Sequence, residues 1–194
     1  MPLEIVPYPH PTLRYKSKPI RKVDKALRDV VAEMFDLMYA SRGVGLAANQ
    51  VDIPLRMFVV NPSGTRGDGE ELVLINPVIQ RPKGSWQAEE GCLSLPGVFG
   101  NVMRPKEIRL SAFDLKGNPI ERTVDDFLGR VLQHENDHLD GVMFIDRMTD
   151  EARRDLEGAL AEFEIVRESC RQTGSVESDE AIIQRRNEWE QRYA

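Results

Sequence analysis

Residues 24–41, DKALRDVVAEMFDLMYAS, carry apolar side chains at Leu27, Val30, Val31, Met34, Phe35 and Met38. That recurrence predicts an amphipathic helix, with Asp24 placed to cap its start. The chain then enters RGVGLAANQ, whose glycines let the backbone approach a neighbour or ligand closely. LRMFVVN (55–61) and ELVLINPVIQ (71–80) read as strands, with GTRGDGE between them as an exposed turn. KEIRLSAFDL (106–115) and IERTV (120–124) alternate apolar and polar positions around KGNP, the pattern of a hairpin. A second helix fits 125–139, DDFLGRVLQHENDHL, with Asp125 and Asp126 at its positive end and Gly141 placed to stop it. QAEEGCLSLPG, around Cys92, reads as neither a clear strand nor a clear helix.

Beyond Met148 the pattern changes. EARRDLEGALAEFEIVRESCRQ predicts a charged surface helix with Leu156, Leu160 and Phe163 at packing spacing. TGSVESDE reads as a solvated linker, and IIQRRNEWEQRY as a short last helix with Ile182, Trp189 and Tyr193 on one side. The pattern thus divides the chain into a domain at 1–148 and an acidic, partly mobile helical extension at 149–194.

The length, 194 residues, suits one domain with a sizeable core and an appendage. Apolar residues make up 41% and charged residues 30%, an ordinary globular balance. A net charge of −6, most of it in the extension, gives no general attraction to DNA or to an anionic membrane. No apolar run reaches bilayer-spanning length, and the start MPLEIVPYPHPTLRYK lacks the basic-then-apolar order of a targeting signal. Two cysteines give no disulfide framework, so the reading is a cytoplasmic protein.

The chemistry concentrates in HENDH: His134, Glu135 and His138. Residues four apart on a helix share a face about one turn, or ~6 Å, apart, so both imidazoles point the same way. Glu135, next to the first histidine, is placed to handle protons for a metal-bound water. The apolar residues Phe127 and Val131 continue the same stripe and put the imidazoles on the inward face. Asp137 and Asp140 flank the second histidine, where either could orient an imidazole; Asp140 fits better as helix-end charge.

Two histidines do not complete a metal site. The extended pattern HExxHxxGxxH fails here, because Gly141 fits but Phe144 cannot bind metal. His10, between two prolines, reads as an N-terminal loop residue. Glu157 and Glu162 lie in the downstream window used by metallopeptidases, and Cys92 lies upstream. Spacing leaves both options open.

Three separated segments, GVGLAANQ (43–50), EGCLS (90–94) and QHENDHLDG (133–141), resemble in order and separation the signatures of peptide deformylases. PYPHPTLR and INP (75–77) are similar too, and the resemblance covers roughly residues 3–148. It implies Cys92, His134 and His138 as ligands of a divalent metal, with the fourth position open to water. Iron(II) is the implied physiological metal, with zinc, nickel or cobalt able to occupy purified protein. The implied reaction removes the formyl group from the formyl-methionine of new polypeptides and releases formate. Glu135 would move the proton, while the Gln50 amide and the Leu93 backbone N–H would donate to the oxyanion.

An extended peptide could add along Gly43, Val44 and Gly45, faced by Gly91. Val44, Phe127 and Val131 are the candidates for the methionine slot. Arg130 departs from an all-apolar wall and is expected at the pocket mouth, with its guanidinium toward solvent or substrate. The expected fold is α+β: mainly antiparallel strands around a central metal-binding HExxH helix, with a C-terminal helix packed outside. The expected partners are N-formyl-methionyl nascent peptides and, transiently, the ribosome, with the enzyme acting as a monomer.

Overall fold

The computed structural model describes residues 2–194. Helix α1, Lys25–Ala40, begins where Asp24 accepts the Leu27 N–H. Strands β1 (Gly45–Ala47), β2 (Met57–Val60) and β3 (Leu72–Lys83) follow. Next come β4 (Trp86–Cys92), β5 (Leu95–Arg104), β6 (Glu107–Phe113) and β7 (Pro119–Val124). Helix α2 runs over Phe127–Leu139, and α3 (Asp150–Arg154), α4 (Glu157–Gln172) and α5 (Asp179–Tyr193) complete the chain.

Five strands form an antiparallel sheet in the order β1-β2-β3-β6-β7, while β4 and β5 make a separate antiparallel pair. Strand β2 shows how the layers arise. Alternate side chains point to opposite faces. Met57 and Val59 enter the cluster with Leu27, Met34 and Met38 of α1. Phe58 and Val60 join the cluster with Val131, Leu132 and Leu139 of α2. The large sheet is therefore covered by α1 on one face and α2 on the other, and all four β2 residues are buried. A third cluster joins Leu95, Val98 and Val102 of β5 to Leu13, Phe144, Ile145 and Leu160.

Helix α2 starts at Asp126, whose side chain accepts the Gly129 N–H. It ends just before Gly141, which adopts φ +74. A Cβ there would lie 2.5 Å from Arg14 O, so glycine is required twice over.

The segment around Cys92 differs from its sequence reading: it is the end of one strand and the turn into another. The extension differs as well. The first predicted helix is broken at Asp155–Leu156 into α3 and α4. The last helix docks firmly, with Ile182 and Tyr193 2% and 1% exposed. Tyr193 Oη reaches Asp24 Oδ1 at 3.0 Å, and Arg21 N–H donates to Tyr193 O at 2.7 Å. Among the described residues no helix is long and apolar enough to cross a membrane.

Candidate active site

Helix α2 carries His134, Glu135 and His138 into the space between the large sheet and the β4–β5 pair. Strand β4 ends at Cys92, whose Sγ lies 3.2 Å from His138 Nε2. Ligand atoms of Cys92, His134 and His138 all lie within 4.8 Å of one another, the one such group found among the described residues. Glu157 and Glu162, on α4, are outside that group, so the downstream-glutamate alternative is not favoured.

The donor set suits a borderline divalent metal: one thiol and two imidazoles. The electrostatics suit a cation too. Burial would lower the His134 pKa, yet Cys92, Glu90 and Glu135 outweigh it and carry it to about 10. Positive charge is favoured at that spot. Burial instead drives His138 well below its ordinary value and keeps it neutral. Burial also pushes Glu135 up to about 7. Its Oε2 is enclosed without a hydrogen-bond partner.

Gly45 makes room for that carboxylate. A Cβ on residue 45 would lie 2.5 Å from Glu135 Oε1 and 2.8 Å from its Cδ. The space beside Gly43 is taken in the same way by Leu93, and that beside Gly91 by Phe99. Gln50 sits in the 3-10 turn Ala48–Val51 that follows β1. Its Oε1 accepts the Ala47 N–H at 2.9 Å, which leaves Nε2 3.4 Å from Cys92 Sγ and 3.3 Å from Ser94 Oγ.

All of this opens into a cavity of about 800 Å³. Its wall includes Gly43, Val44, Gly45 and Gln50 on one side, and Gly91, Cys92 and Leu93 on the other. Phe127, Arg130, Val131, His134 and Glu135 of α2 form the floor. Strand β1 is the edge of its sheet, and β4 pairs only with β5, so free backbone edges border the cavity.

Arg130 is not at a solvent-facing mouth. It is 4% exposed, and Nη1 binds Glu90 Oε1 while Nη2 binds Trp86 O. Its guanidinium also stacks 4.7 Å from the Trp86 ring. The buried Glu90 carboxylate draws it inward, where pairing offsets its desolvation. Asp137 and Asp140 do not orient an imidazole either: Asp137 binds Arg104 and Arg147, and Asp140 binds Arg56. The imidazole's partner is Glu90, with Oε2 3.0 Å from His134 Nδ1. Arg104 clamps the same carboxylate, Nε to Oε1 at 2.6 Å and Nη2 to Oε2 at 2.9 Å. His10, read as a loop residue, is buried and accepts the Thr12 N–H at the start of a short 3-10 helix.

A family model described as polypeptide deformylase matches residues 2–154. The chain is 56% identical over 193 residues to a peptide deformylase of Rhodopirellula baltica, covering 100% of this chain and 96% of that one. It is 46% identical over 149 residues to the chloroplastic peptide deformylase 1B of Oryza sativa subsp. japonica, covering 76% of this chain and 55% of that longer one. A plant peptide deformylase crystal structure superposes with a TM-score of 0.85 at 39% identity, covering 92% of this chain and 96% of that one. With its HExxH helix, its neighbouring thiol and these relatives, the chain belongs to the polypeptide deformylase family, metalloenzymes that remove the N-formyl group from nascent peptides.

Proposed function

We propose that Cys92, His134 and His138 hold the metal of this deformylase, and that the formyl-methionine substrate lies between β1 and β4. A divalent cation held there would lower the pKa of a water to about 7, supplying hydroxide near neutral pH. Glu135 takes the proton of the attacking water and returns it to the methionine nitrogen as the C–N bond breaks and formate leaves. Its enclosed, elevated carboxyl suits both halves of that transfer. The Gln50 amide and the Leu93 backbone N–H donate to the formyl oxygen as it gains negative charge. One such donor is worth roughly 3 kcal/mol of barrier.

The substrate backbone adds along Gly43, Val44 and Gly45, the segment that leads into the free edge of β1, with Gly91 across the cavity. Val44, Val131 and Phe127 form the methionine slot. Phe127 is 47% exposed, as a side chain waiting to be covered by a ligand would be. Arg130 lines the floor and is fixed there through Glu90 and Trp86.

Iron(II) is the physiological metal in this reading, with zinc, nickel or cobalt acceptable to the same donors. The protein acts as a cytoplasmic monomer on N-formyl-methionyl nascent peptides and meets the ribosome only transiently.

The observation that carries the reading is the convergence of the Cys92 thiol and two imidazoles beside the enclosed Glu135 carboxyl. Its test is formate release from formyl-Met-Ala-Ser by protein prepared anaerobically with iron(II), against Glu135→Ala protein. Formate from the intact chain alone, with peptide bonds uncut, supports it; a cut peptide bond, or equal formate from both proteins, overturns it.

A further inference from the structure

Helix α5 lies outside the residues matched by the family model. One of its side chains nevertheless reaches the turn that carries Gln50. Arg185 Nε donates to Asp52 Oδ2 at 2.7 Å, and Nη2 donates to the same oxygen. Asp52 is the residue that closes the Ala48–Val51 turn, in the left-handed conformation at φ 59, and its own N–H returns to Ala48 O and Asn49 O. Its other oxygen accepts the Thr12 hydroxyl. The Asp52 side chain is only 10% exposed.

The turn is held from three directions. Asn49 Nδ2 donates to His138 O on α2. Val6 N–H donates to Gln50 O at 2.8 Å from the N-terminal segment. Arg185 grips the third side, and its helix is itself fixed. Tyr15 Oη donates to Glu190 at 2.7 Å, and Ile182 and Tyr193 are buried. Glu177 holds Arg185 Nη1 at 2.7 Å, which steers the guanidinium toward Asp52. Loss of Arg185 would leave a nearly buried carboxylate, two positions from Gln50, with the Thr12 hydroxyl as its one remaining side-chain hydrogen bond.

We propose that Arg185 is a positioning residue, which through Asp52 sets the aim of the Gln50 amide into the active-site cavity. The inference rests on the reading of Gln50 as an oxyanion donor. An ordinary surface ion pair would be worth little and would touch stability alone. A brace acts on the rate, because a displacement of about 1 Å in a reacting geometry can cost on the order of a hundredfold.

The experiment is a double-mutant cycle of Arg185→Ala and Gln50→Ala, read as kcat and KM for formyl-Met-Ala-Ser, with metal content and Tm recorded for each protein. Arg185→Ala should lower kcat about tenfold, leave KM within about twofold and keep full metal content. The same change in Gln50→Ala protein should lower kcat no further. Arg185→Lys keeps the charge with one bond fewer and should fall between; it also decides the question by the same cycle if Arg185→Ala does not fold. An unchanged kcat in Arg185→Ala, beside a crippled Gln50→Ala, overturns the brace alone. An unchanged kcat in Gln50→Ala overturns the donor role and the brace with it. Equal losses from Arg185→Ala in both backgrounds show that the helix does not act through Gln50, which also overturns the proposal.

Discussion

Glu90 Oε2 lies 3.0 Å from His134 Nδ1, and this contact turns the other imidazole nitrogen toward Cys92. With Glu90 ionised, Nδ1 keeps its proton against the carboxylate, and a metal held at Nε2 would take the place of the second ring proton. Burial pushes Glu90 up, but His134 and Arg104 outweigh it and hold it down to about 2. The group is thus ionised through the neutral range. Glu90→Gln keeps the shape and removes the charge. Metal affinity should fall about 10- to 100-fold. Competition against a graded series of chelators measures it. Parent-like affinity in the variant would reduce Glu90 to a structural ion-pair partner of Arg104 and Arg130.

Gly45→Ala tests the packing of Glu135 and the proton-transfer role proposed for it. The new Cβ would meet Glu135 Oε1, Cδ and Cγ at 2.5, 2.8 and 2.9 Å, and Glu135 must move. Residue 45 is in strand β1, outside the positive-φ set, so alanine suits its backbone. The expected result is a kcat lower by about a hundredfold with bound metal unchanged. Steady-state kinetics beside metal analysis would show it; a fully active alanine protein would mean that Glu135 has another productive position.

How far the chain could be read from its letters depended on what buries each residue. Helix α2 was legible because Val131, Leu132 and Leu139 bury apolar surface at helical spacing and Asp126 caps it. The hidden element was β4. Its buried position is Glu90, and Glu90 is buried by Arg104, Arg130 and His134 rather than by apolar contact. A reading of apolar periodicity has no signal for a strand of that kind. The same cause misplaced Arg130, which sequence sends to solvent and a carboxylate draws inside. Asp137 was read as a partner for an imidazole, but its partners are Arg104 and Arg147. The docking of α5 was half legible: Ile182, Trp189 and Tyr193 share a side, yet Arg185 and Asp52 are 133 residues apart and nothing local links them. Cys92 needed either the family resemblance or the fold, since a lone cysteine is ordinarily a small apolar residue.

Cys92→Ser separates the thiolate from any other third ligand. A hydroxyl is a poor donor to a borderline metal at neutral pH, whereas the thiol ionises as the metal binds. Metal content after dialysis should drop to near zero in Cys92→Ser, and stay complete in Glu157→Gln and Glu162→Gln. Elemental analysis of the three proteins reads the result directly. A serine protein that kept its metal, or a Glu162→Gln protein that lost it, would contradict the geometry of the cluster.

His10 links acid stability to the same region from the far side. It is 7% exposed, and its Nδ1 accepts the Thr12 N–H, a bond that needs the neutral ring. Burial lowers its pKa to about 4; Asp52 pulls it back up, and Arg167 and Arg185 lower it further. The unfolded chain binds a proton near 6.5. Between those two values the unfolded state holds more protons than the folded one, so stability falls as pH falls. The full contribution is present above about 6.5, is lost progressively toward about 4, and amounts to roughly 3 kcal/mol. Asn at this position can still cap the short helix but does not titrate. His10→Asn protein should therefore lose less stability than the parent between pH 6.5 and 4, when both are unfolded by urea at a series of pH values. Parallel curves for the two proteins would place the acid sensitivity in other groups, and would show that the His10 ring carries its proton in the folded state.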